Sequence, residues 1–222
     1  MSSAMGSELR IRPYEPRDRA ALRKICCDTA DAGQPVERFF PDREIIADLL
    51  MNYYTGFEPQ SSWVVDKGDG VVGYLTGCLN TKRFLRVMTW RIGPVLFFKA
   101  LLRGTFFRAQ TVRLFRANVG LWLTASHAPG PSLQEYPAHL HLNFLDGFRG
   151  HGLGRDLVKT FCDYAAKAGA DGVHARVSAD NPRACHFFEQ QGFIEVHREP
   201  RMRKPDETDR IVCTIVYGRS LG

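Results

Sequence analysis

The sequence predicts an α/β protein in which helices flank a sheet, and three observations carry that reading. Short apolar runs rich in β-branched and aromatic residues, such as 63–65, 71–75 and 138–145, read as strands. Runs with apolar groups three and four apart, such as Leu153, Leu157, Phe161, Tyr164 and Ala168, read as helices. Between one such strand and one such helix stands Arg149-Gly150-His151-Gly152-Leu153-Gly154, a glycine-rich turn joining the two periods. With 222 residues and 44% apolar content, one compact domain over residues 1–222 with a full core is expected.

The elements follow in order. Residues 9–13 read as a short strand. Pro16-Arg17-Asp18 starts a helix running to Ala30, with Ala21, Leu22, Ile25 and Cys26 on one face. Pro41-Asp42 begins a second helix carrying Ile45, Ile46, Leu49, Leu50 and Tyr53. Residues 63–65 and 71–75 form a hairpin around the polar turn Lys67-Gly68-Asp69-Gly70. Residues 80–125 interleave Val95, Leu96, Phe97, Phe98, Leu101, Leu102, Phe106 and Phe107 with Arg91, Lys99, Arg103, Arg108, Arg113 and Arg116. That pattern is helical, amphipathic and basic, and it marks an insertion at about 80–135. One reading is a surface helix touching an anionic membrane. The other, which the sequence favours, is an insertion whose apolar face packs on the core beside an acceptor cleft.

The run 138–145 is apolar except for His139, His141 and Asn143, and reads as a buried central strand. A helix follows over 152–167, closed by Gly169 and Gly172. Val173, Ala175 and Val177 alternate as a strand. Pro182 sits in the first turn of the next helix, where its missing N–H costs nothing, and Gly192 stops that helix. Residues 193–199 and 211–217 are expected to form a final hairpin around the charged loop 201–210. The polar first seven residues are given no structural role.

The glycine-rich turn points to chemistry. Glycines let backbone amides approach a ligand closely, and a helix N-terminus adds unpaired N–H groups and a positive dipole end. Strand, glycine turn and helix therefore suit a phosphate or pyrophosphate. A dinucleotide fingerprint wants G-x-G-x-x-G and a following acidic residue, whereas Gly150, Gly152 and Gly154 are spaced G-x-G-x-G. A P-loop wants Lys-Ser/Thr after the last glycine, whereas Arg155-Asp156 follows here.

The spacing Arg149-x-x-Gly152-x-Gly154 resembles the pyrophosphate loop of the GCN5-related N-acetyltransferase superfamily (GNAT). Downstream, Ser178-Ala179-Asp180-Asn181-Pro182-Arg183-Ala184 and Phe187-Phe188-Glu189-Gln190-Gln191-Gly192-Phe193 resemble that family's second segment, an Asn at a strand end followed by a helix ending in Gly-Phe. The resemblance covers 140–196 closely and 9–30 loosely. The run Tyr136-Pro137-Ala138-His139-Leu140-His141-Leu142 and the later Val177-Ser178-Ala179-Asp180-Asn181 are more specifically similar to the acetyltransferase-like domain of O-GlcNAcases and its stand-alone microbial relatives.

The resemblance implies a mixed, mostly antiparallel central sheet that splays at the cofactor site, with acetyl-CoA (or coenzyme A) lying in the splay. It implies that Leu142, Asn143 and Phe144 offer backbone groups to the pantetheine arm. Amides across Arg149, Gly150, His151, Gly152, Leu153 and Gly154 would hold the pyrophosphate, with Arg155 adding charge. Asn181 would sit near the pantetheine, and Arg183, Phe187 and Phe188 would border the thiol end and the nucleotide side. The implied reaction is direct acetyl transfer to a primary amine, with no covalent intermediate. The family often carries a Tyr seven residues after the Asn to protonate the departing thiolate, but that position is Phe188 here. Candidates for the base are Asp146, Asp180 and His141, with His139 a further possible relay. Asp146 would otherwise cap its turn, Asp180 would cap the Pro182 helix, and the histidines would be satisfied core residues. Cys185 is expected to be a helix core residue.

The remaining bulk properties narrow the partners. A net charge of +6 suits a polyanionic cofactor, nucleic acid or an acidic membrane, or simply a solvated Arg-rich surface. No stacking motif or groove-reading helix supports nucleic acid. No stretch reaches 18 uncharged apolar residues, so no transmembrane segment is expected. The six cysteines show no C-x-x-C spacing and suggest a reducing cytoplasm or nucleus. His139 and His141 lack further ligands, so no metal site is expected. A monomer or homodimer is expected. The alternative to an active enzyme is a non-catalytic acetyltransferase-like module that binds CoA or a protein.

Overall fold

The computed structural model describes residues 9–31, 33–125, 132–203 and 211–222; the polar first seven residues and residues 204–210 of the expected charged loop lie outside the described residues. Seven strands form a single sheet: β1 (Arg10–Pro13), β2 (Ser62–Asp66), β3 (Val71–Cys78), β4 (Ala138–Phe144), β5 (Gly172–Ser178), β6 (Ile194–Arg203) and β7 (Ile211–Ser220). Their order is β1-β2-β3-β4-β5-β7-β6, antiparallel at every step except β4–β5. The sheet is thus mixed and mostly antiparallel, as expected.

One face is covered by α1 (Arg19–Thr29) and α2 (Arg43–Gly56). The 16–18 segment is a 3₁₀ turn that leads into α1, and Leu22, Ile25 and Cys26 of α1 pack with Met51, Val64 and Tyr74. Asp42 caps α2 and accepts from the amide of Ile45. Leu49, expected in the core, is exposed, and Tyr54 is buried in its place.

The other face carries α6 (Leu153–Lys167) and α7 (Pro182–Gln190) over the main core. Leu157 and Phe161 are fully buried as expected, but Ala168 is exposed and Val158, Cys162 and Ala165 complete the face. The helix ends at Lys167, as expected, with Ala168 as its C-cap residue. Gly169, at φ +81°, forms its left-handed end and donates to the Ala166 carbonyl. Gly172 is no cap. It opens β5, where an added Cβ would lie 2.4 Å from the Glu135 carbonyl oxygen. On β3, Gly77 lets α6 sit close: a Cβ there would lie 2.1 Å from the Phe161 ring.

The insertion is helical, with α3 (Thr81–Val87), a π turn over Met88–Ile92, α4 (Gly93–Leu102), a 3₁₀ turn over Thr105–Phe107 and α5 (Ala109–Ala125). The π turn precedes Pro94, whose ring excludes the regular carbonyl of Trp90 four residues back. The expected core packing holds for one stripe: Ile92 and Leu96 join Tyr53, Tyr54 and Cys78. The opposite face of α4 and much of α5 stay exposed.

Candidate active site

The pairing of β4 with β5 supplies the first element of the site. The strands pair at Ala138↔Val173, His139↔His174 and Leu140↔Ala175 and no further. Beyond that point β4 runs on to Phe144, still bonded to β3, and β5 runs on to Ser178, still bonded to β7. The sheet therefore splits into a gap whose two edges carry backbone N–H and C=O groups with no strand partner across it. Such groups need partners when covered.

The glycine turn closes the β4 side of this gap. Gly150 and Gly152 have φ of +86° and +80°, conformations that residues with a Cβ rarely adopt. Nothing lies within 4 Å of a Cβ built on either, so their demand is conformational and the space before them is open. Gly152 is the N-cap of α6, and its carbonyl accepts the first helical bonds, from Arg155 and Asp156. The amides preceding those have no acceptor inside the helix. Gly154 has a different reason: its bare Cα admits the Phe187 ring, 3.3 Å from a built Cβ, and Leu142, 3.6 Å away. Leu142 and Phe187 thus meet where the gap reaches the helix start.

Arg149 folds back onto its own loop. It donates to the Phe144 carbonyl at 3.1 Å, pairs with Asp146 at 3.0 Å, and lies against Gly33 in the turn after α1. Asp146, whose side chain is 82% exposed, is therefore an ion-pair partner of the loop. His151 and Arg155 are exposed. Across the gap, Asn181 caps α7 by accepting from the amide of Ala184 at 3.1 Å. Asp180, a candidate base with capping as its alternative role, is not the cap; it is exposed at the turn before the helix, with its amide donating to the Ser178 hydroxyl. Arg183 is exposed in the first turn of α7. Phe188 is turned into the main core, its ring 5.3 Å from Phe193 and stacked at 6.3 Å on Tyr217. The Tyr217 hydroxyl donates to Glu189. Cys185 is partly buried against the same core, as expected.

The opposite face of the gap carries polar groups. Direct register partners share a face, so His139, His141, His174 and Arg176 all point toward the α1–α2 side. His139 is buried, with the Tyr54 hydroxyl 2.8 Å from Nε2 and the Thr81 hydroxyl 2.7 Å from Nδ1. Burial, with the neighbouring His141 and His174, holds its pKa well below the ordinary histidine value, so it stays neutral. His141 lies one residue past the last β4–β5 pair, half-buried, its ring edge-on to Tyr54 at 5.6 Å. Its register partner on β3 is Thr76, whose buried hydroxyl has no hydrogen-bond partner among the described residues. Asn143 donates to the Tyr74 hydroxyl at 2.9 Å, which leaves its backbone for any contact in the gap. Arg176 pairs with Glu199 on β6. Tyr54, Thr76 and Thr81 were not singled out from the sequence. Nothing in a tyrosine pair on α2, a threonine within β3 or a threonine opening α3 distinguishes them from ordinary core residues.

A family model described as Acetyltransferase (GNAT) family matches residues 132–193, which span β4, the glycine turn, α6, β5 and α7. The fold and this segment are those of the GNAT family. The solved structure of SsHAT is similar over 97% of this chain and 99% of that one, at 27% identity and a TM-score of 0.72. The structure of yncA from Salmonella typhimurium with its cofactor acetyl-CoA shares the fold over 97% of this chain and 95% of that one, at 14% identity and a TM-score of 0.57. Protein O-GlcNAcase of Rattus norvegicus is 19% identical over 211 residues, 95% of this chain. The chain spans only 22% of the length of that relative. Within the GNAT frame, the split between β4 and β5 and the turn at 149–154 are the parts that the sequence resemblance had joined.

Proposed function

We propose that this protein is an acetyl-CoA-dependent N-acetyltransferase that passes the acetyl group directly to a primary amine, on a small molecule or on a protein lysine or N-terminus. The observation that carries the reading is the three-residue β4–β5 pairing that opens into a gap beside the start of α6. Its two edges offer hydrogen-bonding groups to an amide-bearing arm, and the helix start with its open glycines offers N–H groups to a diphosphate. The fit to acetyl-CoA, the donor in this reading, rests on these features. Bound there, acetyl-CoA supplies an activated thioester.

The chain's residues then have separable tasks. Leu142, Asn143 and Phe144 present main-chain groups to the arm, and amides of 149–154 hold the diphosphate. Arg155 and Arg183, both exposed near helix starts, add cationic character. Arg149 acts on the loop, through Phe144 and Asp146, and fixes its shape. Asn181 fixes the start of α7, Phe187 walls the gap, and Phe188 backs Phe187 from the core. His141 is our choice for the group that accepts the amine proton. It is half-buried at the point of divergence, whereas Asp146 is paired with Arg149 and Asp180 is exposed. The remaining rate comes from holding amine and thioester together. A second reading, a CoA-binding module without turnover, is favoured by one feature: the position that often bears the family's proton donor is a buried phenyl ring.

Calorimetric titration with acetyl-CoA and free CoA tests the donor site, with Gly152→Val as the control. Val at φ +80° is strained, and binding is expected to be lost while the fold persists. Unchanged affinity in this variant overturns the diphosphate assignment. Acetyl transfer to polyamines, amino sugars and lysine peptides, compared with His141→Ala, then separates enzyme from module.

A further inference from the structure

The charge of this chain is divided unevenly along it. Residues 70–134 contain nine Lys and Arg and no Asp or Glu, while the rest of the chain contains 21 basic and 24 acidic residues. The whole basic excess therefore resides in the helical insertion. Three of its cations turn inward to α2 or the residues before it: Lys99 to Asp48, Arg103 to Asp42 and Arg108 to the Pro41 carbonyl. The other six, Lys82, Arg83, Arg86, Arg91, Arg113 and Arg116, make no ion pair among the described residues.

The same segment bears the most exposed large apolar side chains among the described residues. Leu102 is 88% exposed, Phe107 78% and Trp90 75%. Leu102 and Phe107 flank a sharp corner made by Gly104 at φ +65°, between α4 and the 3₁₀ turn. The corner is braced from behind, because Arg103 and the Thr105 hydroxyl both reach the buried carboxylate of Asp42. Away from the corner the apolar surface is continuous. Phe98 meets Phe97 at 5.7 Å, Phe97 meets Phe106 at 5.5 Å, and Phe106 meets Phe115 on α5 at 6.4 Å. Along α5 the exposed Val112, Phe115 and Val119 form a stripe with Arg113 and Arg116 beside it.

We infer that this surface docks the protein on an anionic membrane, with Leu102 and Phe107 inserted and the unpaired cations in the headgroup layer. Charge selects this partner. A second copy of the chain would set six unpaired cations against six more, which repel, whereas an acidic bilayer neutralises them. Shape selects it too. Side chains at a projecting corner need no complementary groove in a lipid layer, and apolar tips with cationic flanks match the interfacial region. Among the described residues no helix is long and apolar enough to cross a membrane, so the contact is peripheral.

Co-sedimentation with vesicles tests the inference, using phosphatidylcholine alone and phosphatidylcholine with phosphatidylserine. Binding to the acidic vesicles is expected to exceed that to neutral ones by at least about tenfold, and to weaken with added salt. Arg113→Glu with Arg116→Glu is expected to lower it by on the order of tenfold or more. Leu102→Asp with Phe107→Asp is expected to lower it by on the order of a hundredfold. Both double variants alter exposed side chains outside the gap, so melting temperature and acetyl-CoA affinity are expected to stay unchanged. Equal partition onto both vesicle types, or onto neither, overturns the inference. So does a concentration-dependent dimer, without vesicle binding, that Leu102→Asp with Phe107→Asp dissolves. Tighter binding to polyglutamate than to acidic vesicles would assign the face to an acidic protein and likewise overturn it.

Discussion

Replacing Gly77 with Ala tests how α6, and with it the glycine turn, is seated on the sheet. The added Cβ would lie 2.1 Å from one carbon of the Phe161 ring and 2.6 Å from two others. Carbon atoms in contact prefer about 3.5–4.0 Å, so the ring or the helix must retreat by more than about 1 Å. Phe161 is fully buried in the main core, with the Trp63 ring 6.3 Å away. Overpacking of this kind costs about 1–3 kcal/mol, partly offset by about 0.5–1 kcal/mol from the loss of glycine's freedom in the unfolded chain. A net loss of about 1–2 kcal/mol is expected from denaturant unfolding. The sharper readout is a double-mutant cycle with Phe161→Leu, whose shorter side chain vacates the ring position. The double variant should be more stable than the sum of the singles by about 1–2 kcal/mol. Acetyl-CoA affinity should fall in Gly77→Ala and recover in the double variant. If the two effects add within about 0.5 kcal/mol, the clash is absorbed elsewhere and the seating argument is wrong.

Asp42→Ala removes the α2 cap and the acceptor for Arg103 and Thr105, and a loss of about 2–4 kcal/mol is expected in equilibrium unfolding. The native Asp42 carboxyl is lowered to about 2, mainly by Arg103 and Thr105 against the cost of burial, so its contribution is present above its unfolded value near 4 and is lost as pH falls toward 2. Burial lowers the pKa of both His139 and His174. Below about pH 6.5 the unfolded chain takes up protons that the native histidines refuse, so stability is complete above that pH and declines beneath it. Each contributes up to about 1.4 kcal/mol per pH unit, and His139→Gln should flatten this slope in denaturant titrations at several pH values. Phe188→Tyr places a hydroxyl against Phe193 and Tyr217 in the core. It should lower the melting temperature, with a penalty of about 1–3 kcal/mol, and should not raise turnover; a rise in rate at unchanged stability would contradict the packing described.

The sequence was readable where local rules and the fold agree. The alternation of 138–145, the positive-φ glycines at 150 and 152, and Pro182 after Asn181 are local requirements, and each appears where its element does. Misreadings arose where tertiary contact decides. Gly172 looks like a helix stop but is small because the Glu135 carbonyl passes above it. Asp180 looks as good a cap as Asn181, and only backbone placement separates them. Phe188 sits beside Phe187 in the chain, yet helical rotation sends one ring to Gly154 and the other to Tyr217. The amphipathic pattern at 80–125 could not say which apolar face is buried, because both faces of α4 are apolar and only one meets α2. The contact of Tyr54 with both β4 histidines joins residues 85 and 87 positions apart and leaves no local trace.

The divergence of β4 from β5 has a cost outside catalysis. A sheet that parts in its middle has four edges rather than two, and an unpaired edge is a template for any extended chain. Edge strands at a rim are blunted by charge or proline, but the inner edges here must stay smooth to admit a ligand. In the proposed reading the donor lies along these inner edges, and its occupancy would cover them against strand capture. Solubility of this protein, and its lifetime in a crowded cell, should therefore track the supply of the small molecule that fills the cleft.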